Sequence, residues 1–141
     1  MSAPLVLEGS VAVLAPPSRV FALWSDAAGW PSWDPDLSDA SLDGPFAAGS
    51  RGSLKPVSGP RTRIELTEVE ADRGFEAVAR LPLCRLRFVH RVEPVGSGCR
   101  VSHSVHFSGP FAVLFRQLIG PSMQRGLPGT LAGLKAAAEA G

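Results

Sequence analysis

CRLRFVHRVEPVGSGCRVSHSVHF, residues 84–107, is the stretch that decides the fold. In its first half, apolar residues or histidine alternate with mostly charged residues, which is the pattern of a strand with one buried and one wet face. The second half alternates in the same way. Between them, Val95-Gly96-Ser97-Gly98 has the composition of a tight turn, because glycine tolerates positive φ. The stretch therefore predicts a β-hairpin.

The turn, placed at residues 96–97 or 95–98, sets a single pairing register. On the solvent-facing side of the sheet this register places Glu93 opposite Arg100, an attractive cross-strand pair. A slip of one residue would set apolar side chains opposite polar ones along most of the ladder. The pairs predicted on the buried face are Val92 with Val101, His90 with His103, Phe88 with Val105, and Leu86 with Phe107. Two histidines are thus expected to face each other on an otherwise apolar surface.

The composition is that of an ordinary globular domain. The chain has 141 residues, of which 45% are hydrophobic and 19% charged, and we interpret residues 1–141 as one domain. A net charge of +1 gives no electrostatic reason to expect a nucleic acid partner. No apolar run approaches the ~20 residues that span a bilayer, so stable membrane insertion is not expected. The start, MSAPLVLEGS, lacks a signal-peptide pattern, and a cytoplasmic location is expected by default.

The cysteines and histidines do not form a recognisable metal motif. Cys84 and Cys99 lie near opposite ends of the predicted hairpin, beyond the ~7 Å Cα separation that a disulfide bridges. We interpret both as reduced thiols. Two cysteines and three histidines show no zinc-type spacing, so we predict neither a metal site nor a cofactor.

Other strands and a short helix are indicated before the hairpin. A helix should start near Pro17, because proline suits the first helical turn, and Trp24 should lie on its buried face. Pro56 is tolerated at a sheet edge, so the strand that contains it is expected to be an edge strand. Val69 breaks the alternation of its strand, which suggests a bulge. The predicted strands cover residues 5–14, 37–42, 51–57, 62–70 and 75–81, with a single turn or tight loop at 30–35.

A long helix is predicted after Phe107. Pro121 and Pro128 each remove a helical hydrogen bond, so we expect a kink or a break. Two apolar faces have helical spacing, and we interpret both as core-facing. The first consists of Phe111, Leu114, Phe115 and Leu118, and the second of Leu127, Leu131, Leu134 and Ala138.

The strand over residues 75–81 is expected to pair with the first strand of the hairpin. A connection at Pro82-Leu83 would place Phe75 opposite His90 and Ala77 opposite Phe88. Small residues beside large ones are found both in interlocked packing and around an unfilled hollow. Both interpretations remain open at the level of sequence.

Several local sequences, in this order of elements, resemble the START-like or SRPBCC superfamily, and within it the polyketide cyclase/dehydrase-like proteins. The resemblance covers nearly the whole chain. It implies an α+β helix-grip fold, in which a curved antiparallel sheet wraps around a long C-terminal helix and encloses an apolar cavity. The residues that carry it are Ala15-Pro16-Pro17-Ser18-Arg19-Val20-Phe21 with Trp24 and Asp26, Trp30-Pro31-Ser32-Trp33, Gly44-Pro45-Phe46 with Gly49, and Leu131-Ala132-Gly133-Leu134-Lys135 with Glu139.

Three functions are compatible with this resemblance, since one fold hosts many activities. The first is binding or carriage of a small hydrophobic molecule, such as a lipid or a polyketide. The second is a cyclase or dehydratase, although the absence of tyrosine excludes a mechanism based on a tyrosine phenol. The third is a protein-interaction module of the chaperone-activator kind. We favour the first.

His90 and His103 are the candidate catalytic residues, because an imidazole with a pKa near ~6.5 accepts or donates a proton at physiological pH. In an apolar hollow such a pair can remove a proton next to a ketone; alternatively, each histidine satisfies a buried polar atom or binds a ligand oxygen. We interpret Asp34 and Asp36, which flank Pro35, as turn formers in an exposed loop. The candidate ligand-contacting residues are Trp33, Phe75, Ala77, Phe88, His90, His103, Phe107 and Leu118.

Overall fold

A computed structural model describes residues 5–141. Its elements follow in the predicted order of one strand, short helices, six strands and a long helix. They are β1 (Val6–Val13), α1 (Pro17–Ser25), a 3-10 helix (Ala27–Ser32), β2 (Leu37–Leu42), β3 (Arg51–Pro56), β4 (Thr62–Glu70), β5 (Gly74–Leu81), β6 (Cys84–Val95), β7 (Gly98–Ser108) and α2 (Ala112–Ala140).

The strands form one curled, antiparallel sheet in the order β1-β7-β6-β5-β4-β3-β2, so the first strand pairs with the last. Helix α2 packs across the sheet on β1, β7 and β6, and also contacts α1. The main core lies between these two layers and includes Trp24, Leu66 and Leu134, whose side chains are fully buried. This is the helix-grip arrangement that the sequence predicts.

The β6–β7 hairpin has the predicted register. Every predicted pair is present, including His90 with His103 and Glu93 with Arg100. The connection is the two-residue turn Gly96-Ser97, and Gly96 has a φ of 59°, in the left-handed region that favours glycine. The neighbouring strand β5 is also in the predicted register, with Phe75 opposite His90 and Ala77 opposite Phe88. The sequence pattern of the hairpin was therefore sufficient to align β6 with β7, and the connection at Pro82-Leu83 was sufficient to align β5 with β6.

The predicted edge strand was wrong. β2, not β3, forms the edge of the sheet at this side. Pro56 is nevertheless tolerated because pairing between β3 and β4 ends at Leu54, so no N–H is required from Pro56 on that side.

The bulge in β4 lies between Leu66 and Glu68 rather than at Val69. Two successive residues, Thr67 and Glu68, are both exposed there. The extra residue restores the phase of the strand, so Leu66 and Val69 both pack against the core.

The C-terminal helix is continuous through both prolines, so the expected break is absent. Pro121 and Pro128 lie on the exposed side, as do Gln117 and Gln124, the residues four positions earlier whose carbonyls lose their N–H partner. Water can hydrogen-bond these carbonyls, which offsets the hydrogen bonds that the prolines remove.

The second of the two predicted helix faces is core-facing, and of the first face only Phe115 is partly buried and packs against the core. Leu131, Leu134 and Ala138 are buried, as expected. In the first face, Phe111, Leu114 and Leu118 are 41%, 46% and 65% exposed, so their assignment to the core was wrong.

Cys84 and Cys99 are both buried free thiols. Among residues 5–141, no helix combines the length and the apolar character needed to cross a membrane.

Candidate functional site

A cavity of about 160 Å³ lies between the inner face of the sheet and α2. Strands β2 to β7 contribute side chains to its wall, and Leu127 and Thr130 contribute from α2. Six residues named from the sequence line it: Trp33, Phe75, Ala77, Phe88, His90 and His103.

The structure places the other two candidate ligand-contacting residues outside this wall. Phe107 is buried in the core opposite Leu86. The side chain of Leu118 lies on the exposed side of α2, where it cannot reach the cavity.

The two histidines form a compact aromatic cluster at the bottom of the cavity. Their ring centroids are 4.5 Å apart, because they are cross-strand neighbours on the inner face of the hairpin. His90 stacks on Phe75, with centroids 4.0 Å apart and ring planes 6° from parallel. Trp24 contacts both imidazoles, at centroid distances of 5.8 and 5.9 Å.

Both imidazoles are neutral near physiological pH. Burial, and secondarily the neighbouring His103, holds the pKa of His90 well below its usual value of 6.5. Burial also lowers the pKa of His103, to about 4. A neutral imidazole presents one donor and one acceptor nitrogen, and a base with so low a pKa is a weak proton acceptor.

Four ring nitrogens of the cavity wall are buried and find no hydrogen-bond partner within residues 5–141. They are Nε1 of Trp24, Nε1 of Trp33, Nδ1 of His90 and Nε2 of His103. By contrast, Nε1 of Trp30 donates to the Trp24 carbonyl at 2.9 Å. Buried polar atoms are normally hydrogen-bonded, so four unpartnered ring nitrogens on residues of one cavity wall are candidates for hydrogen bonds to water or to polar atoms of a bound molecule.

Asp34 was expected in an exposed loop, and this was wrong. The predicted turn is present, because the Asp36 N–H donates to Asp34 Oδ1 at 3.0 Å. However, Asp34 is only 8% exposed, and the Thr130 hydroxyl also donates to its Oδ1, at 2.8 Å. Burial raises the pKa of the Asp34 carboxyl, and these two hydrogen bonds partly oppose that effect.

Asp34, Thr130 and Trp30 are wall residues that sequence reasoning did not find. The clustering of three tryptophans in residues 24–33 was a usable signal for Trp30. No local signal was available for Asp34, because an Asp-Pro-Asp sequence is typical of turns and its partner Thr130 lies 96 positions further along the chain.

The loop over residues 33–36 lies directly on a glycine-rich side of α2. A Cβ atom at Gly133 would overlap the Trp33 carbonyl oxygen, and one at Gly126 would overlap the Asp36 carboxylate. A Cβ at Gly129 would meet only Pro35 Cγ, at an ordinary 3.5 Å. Glycine is therefore required at Gly133, where the obstacle is backbone of the loop that carries Trp33 and Asp34, whereas at Gly126 the Asp36 side chain would have to move.

We expect Gly133→Ala to lower the free energy of unfolding by about 1–3 kcal/mol, because backbone has to move to admit the new methyl group. The displaced segment carries Trp33, so tryptophan fluorescence should change as well. Urea unfolding monitored by fluorescence measures both effects.

The matched control is Gly129→Ala in the same helix. Space is available there, and alanine is a better helix former than glycine by about 1 kcal/mol, so the variant should be neutral or slightly stabilised. Equal destabilisation by the two substitutions would contradict the close contact at Gly133.

Comparison with known proteins assigns the family. Residues 4–139 match the family model described as polyketide cyclase / dehydrase and lipid transport. The chain belongs to this family. No curated protein matches the sequence.

Solved structures of similar fold are distant in sequence. TTHA0849 from Thermus thermophilus is 22% identical, with a TM-score of 0.76 over 96% of this chain and 97% of that chain. The di-domain ARO/CYC StfQ from the steffimycin biosynthetic pathway is 13% identical, with a TM-score of 0.79 over 96% of this chain and 51% of that chain. A norcoclaurine synthase point mutant from Thalictrum flavum is 14% identical, with a TM-score of 0.71 over 94% of this chain and 92% of that chain. At these identities the likeness establishes the shared helix-grip fold alone.

Proposed function

We propose that this family member binds one small, mainly apolar molecule that carries an oxygen atom, in the cavity between the sheet and α2. The observation that carries the proposal is the cavity itself, which has an aromatic wall and four unpartnered ring nitrogens. The family description, which includes lipid transport, is in keeping with a hydrophobic ligand.

The size of the cavity limits the ligand. A volume of about 160 Å³ is close to that of an engineered apolar cavity of about 150 Å³ that admits benzene. Drug-sized ligands occupy pockets of about 300–1,000 Å³. A molecule with one ring therefore fits, whereas a long-chain lipid or a polycyclic polyketide would have to leave most of its surface outside.

The unpartnered nitrogens are the reason to expect an oxygen on the ligand. An indole Nε1–H is a donor only, so Trp24 and Trp33 each offer a hydrogen bond to an acceptor. Ketone, ether and hydroxyl oxygens are acceptors of this kind. A ligand without such an atom would leave these donors unsatisfied, at a cost of about 1–3 kcal/mol each.

We expect Ala77→Leu to weaken the binding of an apolar single-ring probe such as ethylbenzene by about tenfold or more, which is about 1.4 kcal/mol. Ala77 lines the cavity, and the larger side chain occupies the space of the probe. All three tryptophans of the chain lie in the wall, so intrinsic fluorescence titration reports binding directly.

Ala132→Leu makes the same change on the exposed side of α2 and should leave affinity unchanged. Unaltered binding in Ala77→Leu, or absence of probe binding in the wild-type protein, would refute the proposal.

Cyclase or dehydratase activity by His90 and His103 is the second candidate. The close, neutral imidazole pair with unpartnered nitrogens favours it. It ranks second because an efficient general base has a pKa near the working pH, whereas the pKa of His103 is about 4. Turnover of a polyketone that disappears when both histidines are replaced by glutamine would reverse this ranking.

A further inference from the structure

The described cavity wall contains one acidic side chain, that of Asp34. Within the part of the chain that the structure describes, no lysine or arginine lines the cavity, whereas the carboxyl group of Asp34 does. His90 and His103 are neutral. The remaining wall side chains are apolar, apart from three tryptophans, one serine and one threonine, which carry N–H or O–H groups. Electrostatically, this wall disfavours an anionic ligand and accepts a neutral or cationic one.

One carboxylate oxygen of Asp34, Oδ1, already accepts hydrogen bonds within the protein. The Thr130 hydroxyl and the Asp36 N–H both donate to Oδ1. No ion pair or hydrogen bond within residues 5–141 engages Oδ2. Oδ2 keeps accessible surface, so a ligand atom can reach it, and a donor placed there would offset the cost of a largely buried carboxyl group without a cationic partner. The side chain is also well anchored, since its partners lie on α2 and in its own turn.

Aromatic rings adjoin this carboxyl group in the same wall. Trp33 precedes Asp34 in the chain, and Trp30 and Phe75 stack with centroids 5.8 Å apart. Aromatic faces attract cations and also pack against a ligand ring. The combination of ring faces, one carboxyl group and no basic side chain is suited to a ring with a short arm that ends in a donor group.

We propose that the ligand is a single-ring molecule that carries, besides the acceptor oxygen proposed above, a hydrogen-bond donor, an ammonium or hydroxyl group, that binds to Oδ2 of Asp34, and that carboxylate ligands such as fatty acids are rejected. The proposal rests on the cavity binding put forward above and adds the chemical class of the ligand. Asp34 thereby becomes the residue that determines ligand specificity. An ammonium group should bind more tightly than a hydroxyl group, because hydrogen bonds between charged groups are stronger.

Four probes with one skeleton test the proposal: phenethylamine, phenethyl alcohol, ethylbenzene and phenylacetate. We expect affinity for the wild-type protein to fall in that order, with phenethylamine about ten- to a hundredfold tighter than ethylbenzene. Phenylacetate should bind most weakly, because its charge meets a carboxyl group and no basic side chain. Titration calorimetry at constant ionic strength gives all four affinities.

Asp34→Asn is the matched variant. Asparagine retains the size of the side chain and its turn-forming ability, and its carbonyl oxygen can accept from Thr130 and Asp36. It removes the charge, so the advantage of phenethylamine over ethylbenzene should disappear while ethylbenzene binding persists. A thermal unfolding curve checks that the variant is folded.

The possible failures are distinguishable. Binding of ethylbenzene without preference for the donor-bearing probes, or tight binding of phenylacetate, would overturn the assignment of Asp34 and leave cavity binding standing. Absence of binding by all four probes would overturn both proposals. The order of the four probes on the wild-type protein decides the matter even if Asp34→Asn does not fold.

Discussion

Trp24→Ala is expected to lower the free energy of unfolding by about 3–5 kcal/mol, as large aromatic truncations in cores do. The side chain of Trp24 is fully buried. It packs edge-on against Phe75, with centroids 5.5 Å apart, and contacts both histidines. Its removal leaves these three rings facing a void that the sheet and helix are too rigid to close. Chemical denaturation of the two proteins measures the loss.

Indole should partly rescue this variant. The truncation enlarges a cavity that is already apolar, and a ligand that binds only the folded state stabilises it by mass action. Indole at about 100 times its Kd should restore about 2.7 kcal/mol. Leu118→Ala serves as the control, because this leucine is largely exposed and its loss should change stability by no more than about 0.5 kcal/mol. A small loss in Trp24→Ala, or rescue of both variants by indole, would contradict the packing described above.

Acid should destabilise the protein through the buried histidine pair. The pKa of His103 is lowered in the folded protein from 6.5 to about 4, so the unfolded chain binds a proton over this range more readily than the folded one. The stability that this histidine contributes is therefore present above pH 6.5 and is lost as the pH falls towards about 4. The loss due to His103 amounts to about 3 kcal/mol. His90, whose pKa is also lowered, acts in the same direction.

His103→Gln isolates this effect. Glutamine does not titrate, so the stability of the variant should depend less steeply on pH in that window than the stability of the wild-type protein. Groups that do not contact His103, among them Asp34 with its raised pKa, also titrate on the acid side, but they are common to both proteins and cancel in the difference. His90 does not cancel fully, because His103 is one cause of its lowered pKa, so the difference reports the histidine pair. Urea unfolding at a series of pH values measures this difference.

His106→Gln is the comparison on the outer face. The pKa of His106 is also lowered by burial, but this histidine is only half-buried and keeps a 3.0 Å hydrogen bond to Ser104. Its replacement should flatten the pH profile less than that of His103. Parallel profiles for His103→Gln and the wild-type protein would show that the imidazole of His103 is not held neutral by burial.

The local alternation of side chains was sufficient to predict the strand pairing in the central part of the fold. Only one register gives the hairpin a buried face. It follows from the alternation along residues 84–107 and from the turn at Gly96 and Ser97, and it places His90 opposite His103. The same reasoning extended to Ala77 on β5. These predictions depend on side-chain direction in a strand, which alternates regardless of what lies further away.

In helix α2, periodicity was not sufficient to predict which apolar residues are buried. Phe111, Leu114 and Leu118 have the spacing of a buried face, as do Leu131, Leu134 and Ala138, but only the second group meets the sheet. Spacing defines a face and does not specify what covers it. Whether a partner surface is present depends on the length of the sheet and on the angle at which the helix crosses it.

The sequence by itself determined the order of the elements and the two facing histidines, because these depend on neighbouring residues and paired strands, and it indicated the helix-grip fold through its resemblance to a known family. Only the tertiary structure decided that a cavity remains beside Ala77, and that Asp34 is buried against Thr130 rather than exposed. The physical reason is that both depend on how closely segments that are distant in the sequence approach each other. For Asp34, the absence of a side chain at Gly133 of α2 admits the loop that carries this residue.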